Sequence, residues 1–166
     1  MNAVCSISVS VVCVGLIVFA SIGCAPGVST PDGMPDLQPT VLMITQGGEP
    51  LEGASVQCIA DDPDLARWAC GGFSDSNGEV VIKTLGQYTG APAGIYKVTV
   101  SKELIESSTS QGNDPGSSNI TKSFALVDPK FKSAETTPAS ISVTGGENKP
   151  PAIDLGTAVK IAAPTL

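Results

Sequence analysis

The chain contains five cysteines and no histidine, and these two counts limit the chemistry that its side chains can perform. A thiol or hydroxyl nucleophile usually needs a histidine as its base, and protein zinc sites commonly combine cysteine with histidine. The sequence also lacks the Gly-x-Ser-x-Gly elbow of serine hydrolases. We therefore expect no enzyme activity, no catalytic residue, no metal site and no cofactor.

Cys24 follows an apolar stretch, residues 3–23, that contains no Asp, Glu, Lys or Arg and ends in Gly23. This pattern is typical of a bacterial lipoprotein signal peptide, residues 1–23, whose removal leaves the Cys24 thiol to carry lipid. Two alternatives stay open, because a run of this length is also found in an uncleaved membrane anchor and in an ordinary cleaved leader. No Lys or Arg precedes Cys24, and Ser21 stands where such signals usually have Leu.

Cys58 and Cys70 are the cysteines that remain once Cys5 and Cys13 leave with the leader and Cys24 takes the lipid. An even pair in an exported domain is typical of a disulfide, so we predict a bridge between them. The bridge would close a loop of about 13 residues and stabilise the fold by roughly 3 kcal/mol. The alternative is two buried free thiols, because unpaired cysteine is often buried.

Residues 24–39 are rich in Pro, Gly, Ser and Asp, which predicts a flexible tether. Beyond it, short apolar runs between turn residues predict strands at 40–45, 54–60, 67–73, 79–84, 95–101, 120–127, 140–144 and 152–155. No segment has a convincing amphipathic helical pattern. We predict an all-β fold, a seven- to eight-stranded antiparallel β-sandwich over residues 40–156. Polar residues 102–119 predict a disordered loop, and residues 157–166 a tail or an edge strand.

Motifs of turn and strand follow one another in a set order through this domain. The turns contain Pro50 and Gly53, then Asn77 and Gly78, then the Pro and Gly that precede the strand at 95–101; further motifs lie at 128–131, 139–143, 146–148 and 153–155. Their order and spacing over residues 40–155 resemble the carboxypeptidase regulatory-like, or transthyretin-like, domains of envelope lipoproteins in planctomycete bacteria. The resemblance implies a Greek-key sandwich without an established catalytic role, and it supplies no site residue.

Acidic residues occur in two groups that deserve comparison with cation sites. Asp75, Asn77 and Glu79 alternate like the start of a calcium loop, but the remaining oxygen ligands of an EF-hand are missing. We interpret them as a hairpin turn, in which Asp75 binds backbone and Asn77-Gly78 permits a tight bend. The second group, Asp61, Asp62 and Asp64, is interpreted as a solvated loop.

Trp68 is the only tryptophan of the chain and lies between Cys58 and Cys70. A tryptophan beside a pair of strand cysteines is commonly packed in the core. The alternative is an exposed platform on which Trp68 and Tyr88 stack a sugar ring. Burial of Trp68 is the observation that separates the two interpretations.

Two functions from different classes remain. The first is a non-enzymatic, lipid-anchored protein of the cell envelope, on its periplasmic or cell-surface side, whose β-sandwich is a structural or protein-interaction module. The second is a carbohydrate-binding accessory domain at the cell surface. The partners are then the membrane, through the lipid, and a protein or a glycan. The formal charge of −7 argues against a nucleic acid partner.

Overall fold

The computed structural model describes residues 29–108 and 120–162 of the 166-residue chain. Contacts within the chain divide it into two units, Met1–Asp32 and Gly33–Leu166. Of the first unit only residues 29–32 are described, so the predicted signal peptide and Cys24 lie outside the described residues. Within the described part, no helix is long and apolar enough to cross a membrane.

Strands are the main regular secondary structure in the described residues of the second unit. Its one helical segment in the described ranges is a 3₁₀ turn at Pro129–Phe131, where Phe131 is buried. The strands are β1 (Leu37–Gln38), β2 (Val41–Gln46), β3 (Glu49–Pro50), β4 (Ser55–Ala60), β5 (Cys70–Phe73), β6 (Glu79–Val81), β7 (Lys83–Thr84), β8 (Tyr88–Thr89), β9 (Ala91–Pro92), β10 (Gly94–Ser101), β11 (Glu103–Ser108), β12 (Ile120–Ala125), β13 (Ser140–Val143), β14 (Ile153–Asp154) and β15 (Ile161–Ala162).

Most strand pairs are antiparallel. The largest sheet has six strands in the order β13-β10-β4-β5-β7-β8. In a second sheet, β2 pairs antiparallel with β3 and β6 and parallel with β14. Strands β11, β12 and β15 form a third sheet, and β1 pairs with β9. The all-β prediction is therefore confirmed for the described residues.

The hydrophobic core is shared by the largest sheet and the β2 sheet. Alternation along each strand turns every second side chain inward. One buried cluster results, with members that include Leu42, Ile44, Val56, Cys58, Val80, Tyr96, Val98, Val100, Ile141 and Val143. The Tyr96 hydroxyl, inside this cluster, donates a hydrogen bond to the Pro92 carbonyl at 2.7 Å. A core shared by two sheets is consistent with a β-sandwich.

Two predicted strands have different bounds in the structure. The strand predicted at 67–73 begins only at Cys70, because the preceding backbone turns, with the Trp68 N–H donating to the Leu65 carbonyl at 2.9 Å. The strand predicted at 79–84 is divided, since β6 pairs with β2 whereas β7 pairs with β5. The chain passes from one sheet to the other at the buried Ile82, which donates to the Thr40 carbonyl at 3.0 Å.

Two connecting segments also differ from the prediction, and a third follows one of its two alternatives. The tether ends before residue 39, because β1 (Leu37–Gln38) pairs with β9. The predicted loop 102–119 is wrong over its first part, where β11 pairs with β12; residues 109–119 lie outside the described residues. In the C-terminal segment, Ile161 and Ala162 pair with Ala125 and Phe124, which corresponds to the edge-strand alternative.

Candidate functional site

Cys58 and Cys70 are free, buried thiols, so the predicted disulfide is wrong and the alternative of two buried thiols holds. The two residues do lie opposite each other on β4 and β5. The Cys70 Sγ, however, contacts the Trp68 carbonyl at 3.1 Å and the Thr84 hydroxyl at 3.3 Å. Each thiol is about 5% exposed and packs as a small apolar side chain of the core.

Burial makes these thiols weak acids. Burial, together with a smaller effect of the nearby Cys70, raises the pKa of the Cys58 thiol from 9.0 to about 12. Burial also raises the pKa of Cys70, against the lowering effect of the Thr84 hydrogen bond. Since the thiolate is the reactive form, neither residue is suited to act as a nucleophile near neutral pH.

Alkaline pH should therefore destabilise the fold. Because the pKa of the Cys58 thiol is higher in the folded than in the unfolded chain, the unfolded chain loses this proton first as the pH rises. The free energy of unfolding is therefore unaffected by this group below pH 9 and falls between pH 9 and 12. Each such group contributes a slope of up to about 1.4 kcal/mol per pH unit. Guanidinium denaturation at pH 7, 9, 10 and 11, with reductant present, should show this decline, and a Cys58→Ala variant should decline less steeply. Parallel curves for the two proteins would contradict the assignment to Cys58.

Trp68 is packed in the interior, so the interpretation of Trp68 as an exposed sugar platform is wrong. Its side chain is only 8% exposed, and the Arg67 guanidinium carbon lies 4.8 Å from the centre of its ring. The loop that precedes β5 holds it in this position. Tyr88, the second residue of the predicted platform, is half-buried on β8 at the edge of the largest sheet.

The acidic groups are engaged in turns. The Asp75 Oδ1 accepts from the backbone N–H of Asn77 at 2.9 Å and of Glu79 at 2.8 Å, which is the hairpin chemistry predicted for this turn. Gly78, and not Asn77, takes the positive φ. The Asp62 Oδ1 accepts from the Asp64 N–H at 2.9 Å. In the described ranges, no three His, Cys, Asp or Glu residues are placed to hold a metal ion.

A groove with a volume of about 880 Å³ lies on the outer face of the largest sheet. We call it the β4–β5 groove, because β4 and β5 form its floor. Gly71 lies in the middle of this floor, paired with both Gln57 and Lys83. A Cβ atom at position 71 would lie 2.5 Å from the Val56 carbonyl oxygen, so only glycine allows this approach of the strands. At its centre the floor is therefore the bare backbone of Gly71, with the exposed side chains of Gln57 and Lys83 on either side.

Four exposed apolar side chains surround that floor. Phe73 is 75% exposed, Val81 48%, Leu85 41% and Ile59 40%. Of these, Leu85 is also the one non-glycine residue with positive φ in the described part of the chain, at 52°. A leucine in this conformation costs on the order of 1–2 kcal/mol, and such strain tends to occur where a side chain has a functional position.

Sequence reasoning missed this groove, because its residues come from four separate segments. A signal was nevertheless present at two places. Val80, Val81 and Ile82 form a continuous apolar run, and Ile59 adjoins the buried Cys58, so both faces of these strands carry apolar side chains. Half-buried strands normally alternate apolar and polar residues. The departure from this alternation at 80–82 and at Ile59 could therefore have indicated an apolar outer face.

Comparisons of the chain with family models, with curated proteins and with solved structures found no match. The resemblance to transthyretin-like domains accordingly remains a prediction from the motifs.

Proposed function

We propose that this chain is a non-enzymatic, lipid-anchored protein of the cell envelope and that its β-domain acts as a protein-interaction module. In this proposal residues 1–23 are removed on export, Cys24 carries the lipid, and residues 24–36 tether the domain to the membrane. The domain has the Greek-key topology of the carboxypeptidase regulatory-like sandwich that its motifs resemble. The apolar run before Cys24 supports the anchor.

The observation that carries the interaction role is the exposure of Phe73, Val81, Leu85 and Ile59 around one groove. An apolar patch that is rimmed by polar residues commonly marks a binding surface. A partner that covers such a patch gains about 25 cal/mol for each Å² of apolar surface that it removes from water. The groove is also within the usual volume range of binding sites, about 300–1,000 Å³.

A protein partner fits this surface better than a glycan does. Sugar recognition uses the face of an exposed Trp or Tyr together with hydrogen-bonding neighbours. Trp68 is buried, and the exposed aromatic side chain of the groove, Phe73, carries no hydrogen-bonding group. An exposed apolar patch of this kind favours apolar side chains of another protein.

Site-specific cross-linking tests the interaction role. A benzophenone maleimide is attached to a Phe73→Cys variant of the processed protein, which is then mixed with detergent-solubilised envelopes and illuminated. Because Cys58 and Cys70 are buried, the new cysteine is the reactive one. We expect one discrete adduct, which excess unlabelled wild-type protein suppresses and excess Phe73→Ser protein does not.

Ile105 provides the matched control, because it is 66% exposed on β11, outside the groove. An Ile105→Cys variant labelled in the same way should give no discrete adduct, and an Ile105→Ser competitor should suppress the Phe73 adduct as wild type does. Equal adducts from both positions, or competition by Phe73→Ser, would overturn the proposal.

A further inference from the structure

The β4–β5 groove has a direction that the strand register defines. At one end Ser55 pairs with Phe73, and at the other end Cys58 pairs with Cys70. Strand β4 has six residues, which corresponds to a length of about 20 Å. An extended segment of about six residues spans the same length, since it has the same rise per residue. Leu65 and Trp68, from the loop before β5, line the groove near the Cys58 end.

Acidic side chains lie beyond both ends of this apolar surface. Asp75 and Glu79 line the groove near Phe73. Asp61 and Asp64 are exposed in the loop that directly follows β4, at the opposite end. Within the described ranges none of these carboxylates forms an ion pair; the four ion pairs there are Lys130–Asp128, Lys132–Glu103, Lys149–Glu147 and Lys160–Glu106.

The middle of the groove has a different character. Its floor is the backbone of Gly71 between the side chains of Gln57 and Lys83, the latter its one basic residue, and its apolar walls include Ile59 and Val81. The groove thus combines apolar walls along its middle with acidic side chains near each end. Electrostatic complementarity selects a partner with the opposite arrangement and fixes its register.

We infer that the β4–β5 groove binds an extended segment of a partner protein, with apolar side chains in its middle and Lys or Arg at both ends. This inference rests on the proposed function and names the class of partner. The apolar side chains of the segment cover Phe73, Ile59, Val81 and Leu85, and its basic ends lie beside the carboxylates of Glu79 and Asp75 and of Asp61 and Asp64. Burial supplies affinity, and the end charges supply selectivity.

Synthetic peptides labelled with fluorescein test the inference by anisotropy with the processed protein in non-ionic detergent. One peptide has the centre Leu-Ser-Val-Ser-Ile with Lys-Arg at each end. A second has the same centre with Glu-Glu at each end, and a third has the basic ends with an all-serine centre. At 20 mM NaCl we expect the first to bind about tenfold more tightly than the second, through the exposed ion pairs at its ends, and about tenfold more tightly than the third, through apolar burial. Its affinity should fall several-fold at 300 mM NaCl, because salt screens exposed charges.

Variants assign this preference to the named residues. An Asp61→Asn, Asp64→Asn, Glu79→Gln triple variant should bind the basic-ended and acidic-ended peptides within about twofold of each other. Asp75 is left unchanged, since its carboxylate holds the turn. Phe73→Ser should weaken binding of the first peptide at least fivefold, whereas Ile105→Ser should not change it.

Equal binding of basic-ended and acidic-ended peptides to the wild type would overturn the inference. A preference that survives in the triple variant would do the same, as would absence of binding by all three peptides. These results are distinguishable from failure of the proposed function. A groove-specific cross-linked adduct together with no end-charge preference removes only the inference, whereas loss of the adduct removes the proposed function on which it rests.

Discussion

Replacement of Cys24 by alanine should abolish lipid attachment completely, which is the largest effect that we expect from any single change in this chain. The sulfur of Cys24 is the atom that would carry the lipid, and alanine has no nucleophilic group to replace it. Each acyl chain contributes about 0.8 kcal/mol per buried methylene, and several chains together hold a protein firmly on a membrane. Labelled palmitate should enter the wild type and be absent from Cys24→Ala, which should accumulate as the unprocessed precursor.

Cys58→Ala and Cys70→Ala serve as controls for this experiment, because both thiols are buried in the folded domain. Both variants should take up palmitate as the wild type does. An intact-mass spectrum of the native wild-type protein separates the alternatives. A chain that starts at Cys24 with added acyl mass supports the anchor. A chain that starts at Met1, or beyond Cys24 without acyl mass, would refute it.

The second large effect is expected for Gly78→Ala, in the turn between β5 and β6. Gly78 has a φ of 77°, where alanine is strained, and an added Cβ would lie 2.4 Å from the Ile44 carbonyl oxygen. The backbone cannot move away freely, because the Gly78 carbonyl accepts from the Ile44 N–H at 2.8 Å and the Gly78 N–H donates to the Asp75 carbonyl at 3.0 Å. Strain of about 1–2 kcal/mol and weakened hydrogen bonds of about 1 kcal/mol each together lower the free energy of unfolding by about 3 kcal/mol.

Gly53→Ala is the matched control for this substitution. Gly53 also has a positive φ, 68°, as its turn motif indicates, but no heavy atom lies within 4 Å of the position that a Cβ would occupy. The variant should therefore lose only the conformational term, about 1 kcal/mol. Guanidinium denaturation measures both changes. Equal losses for the two variants would show that the clash at Gly78 relaxes without cost.

Local patterns in the sequence were sufficient to predict the fold class and several elements. The strands β2, β4, β10 and β13 lie within one or two residues of their predicted bounds. In β10 the alternation of Tyr96, Val98 and Val100 with polar neighbours correctly indicates which face enters the core. The Asp75 turn was predictable for the same reason, because its hydrogen bonds join residues only two and four positions apart.

Features that depend on which strands meet were not predictable in this way. The run 79–84 satisfies a strand pattern throughout, yet it pairs with β2 before Ile82 and with β5 after it. Residues 103–108 have the composition of a loop, yet β11 is stabilised by six paired positions on β12. Likewise an even pair of cysteines in an exported domain indicates a disulfide, but the hydrogen-bonding partners of Cys70 include Thr84, fourteen residues further along the chain.

By itself, then, the sequence determined the all-β class, the turns and the candidate lipid site at Cys24, because each of these depends on residues that are near neighbours in the chain. The β4–β5 groove was decided only by the tertiary structure. Ile59, Phe73, Val81 and Leu85 are distant in sequence, and they share one surface because β4, β5, β6 and β7 come together. Whether an apolar side chain is buried or exposed depends on what covers it, and no local pattern contains that information.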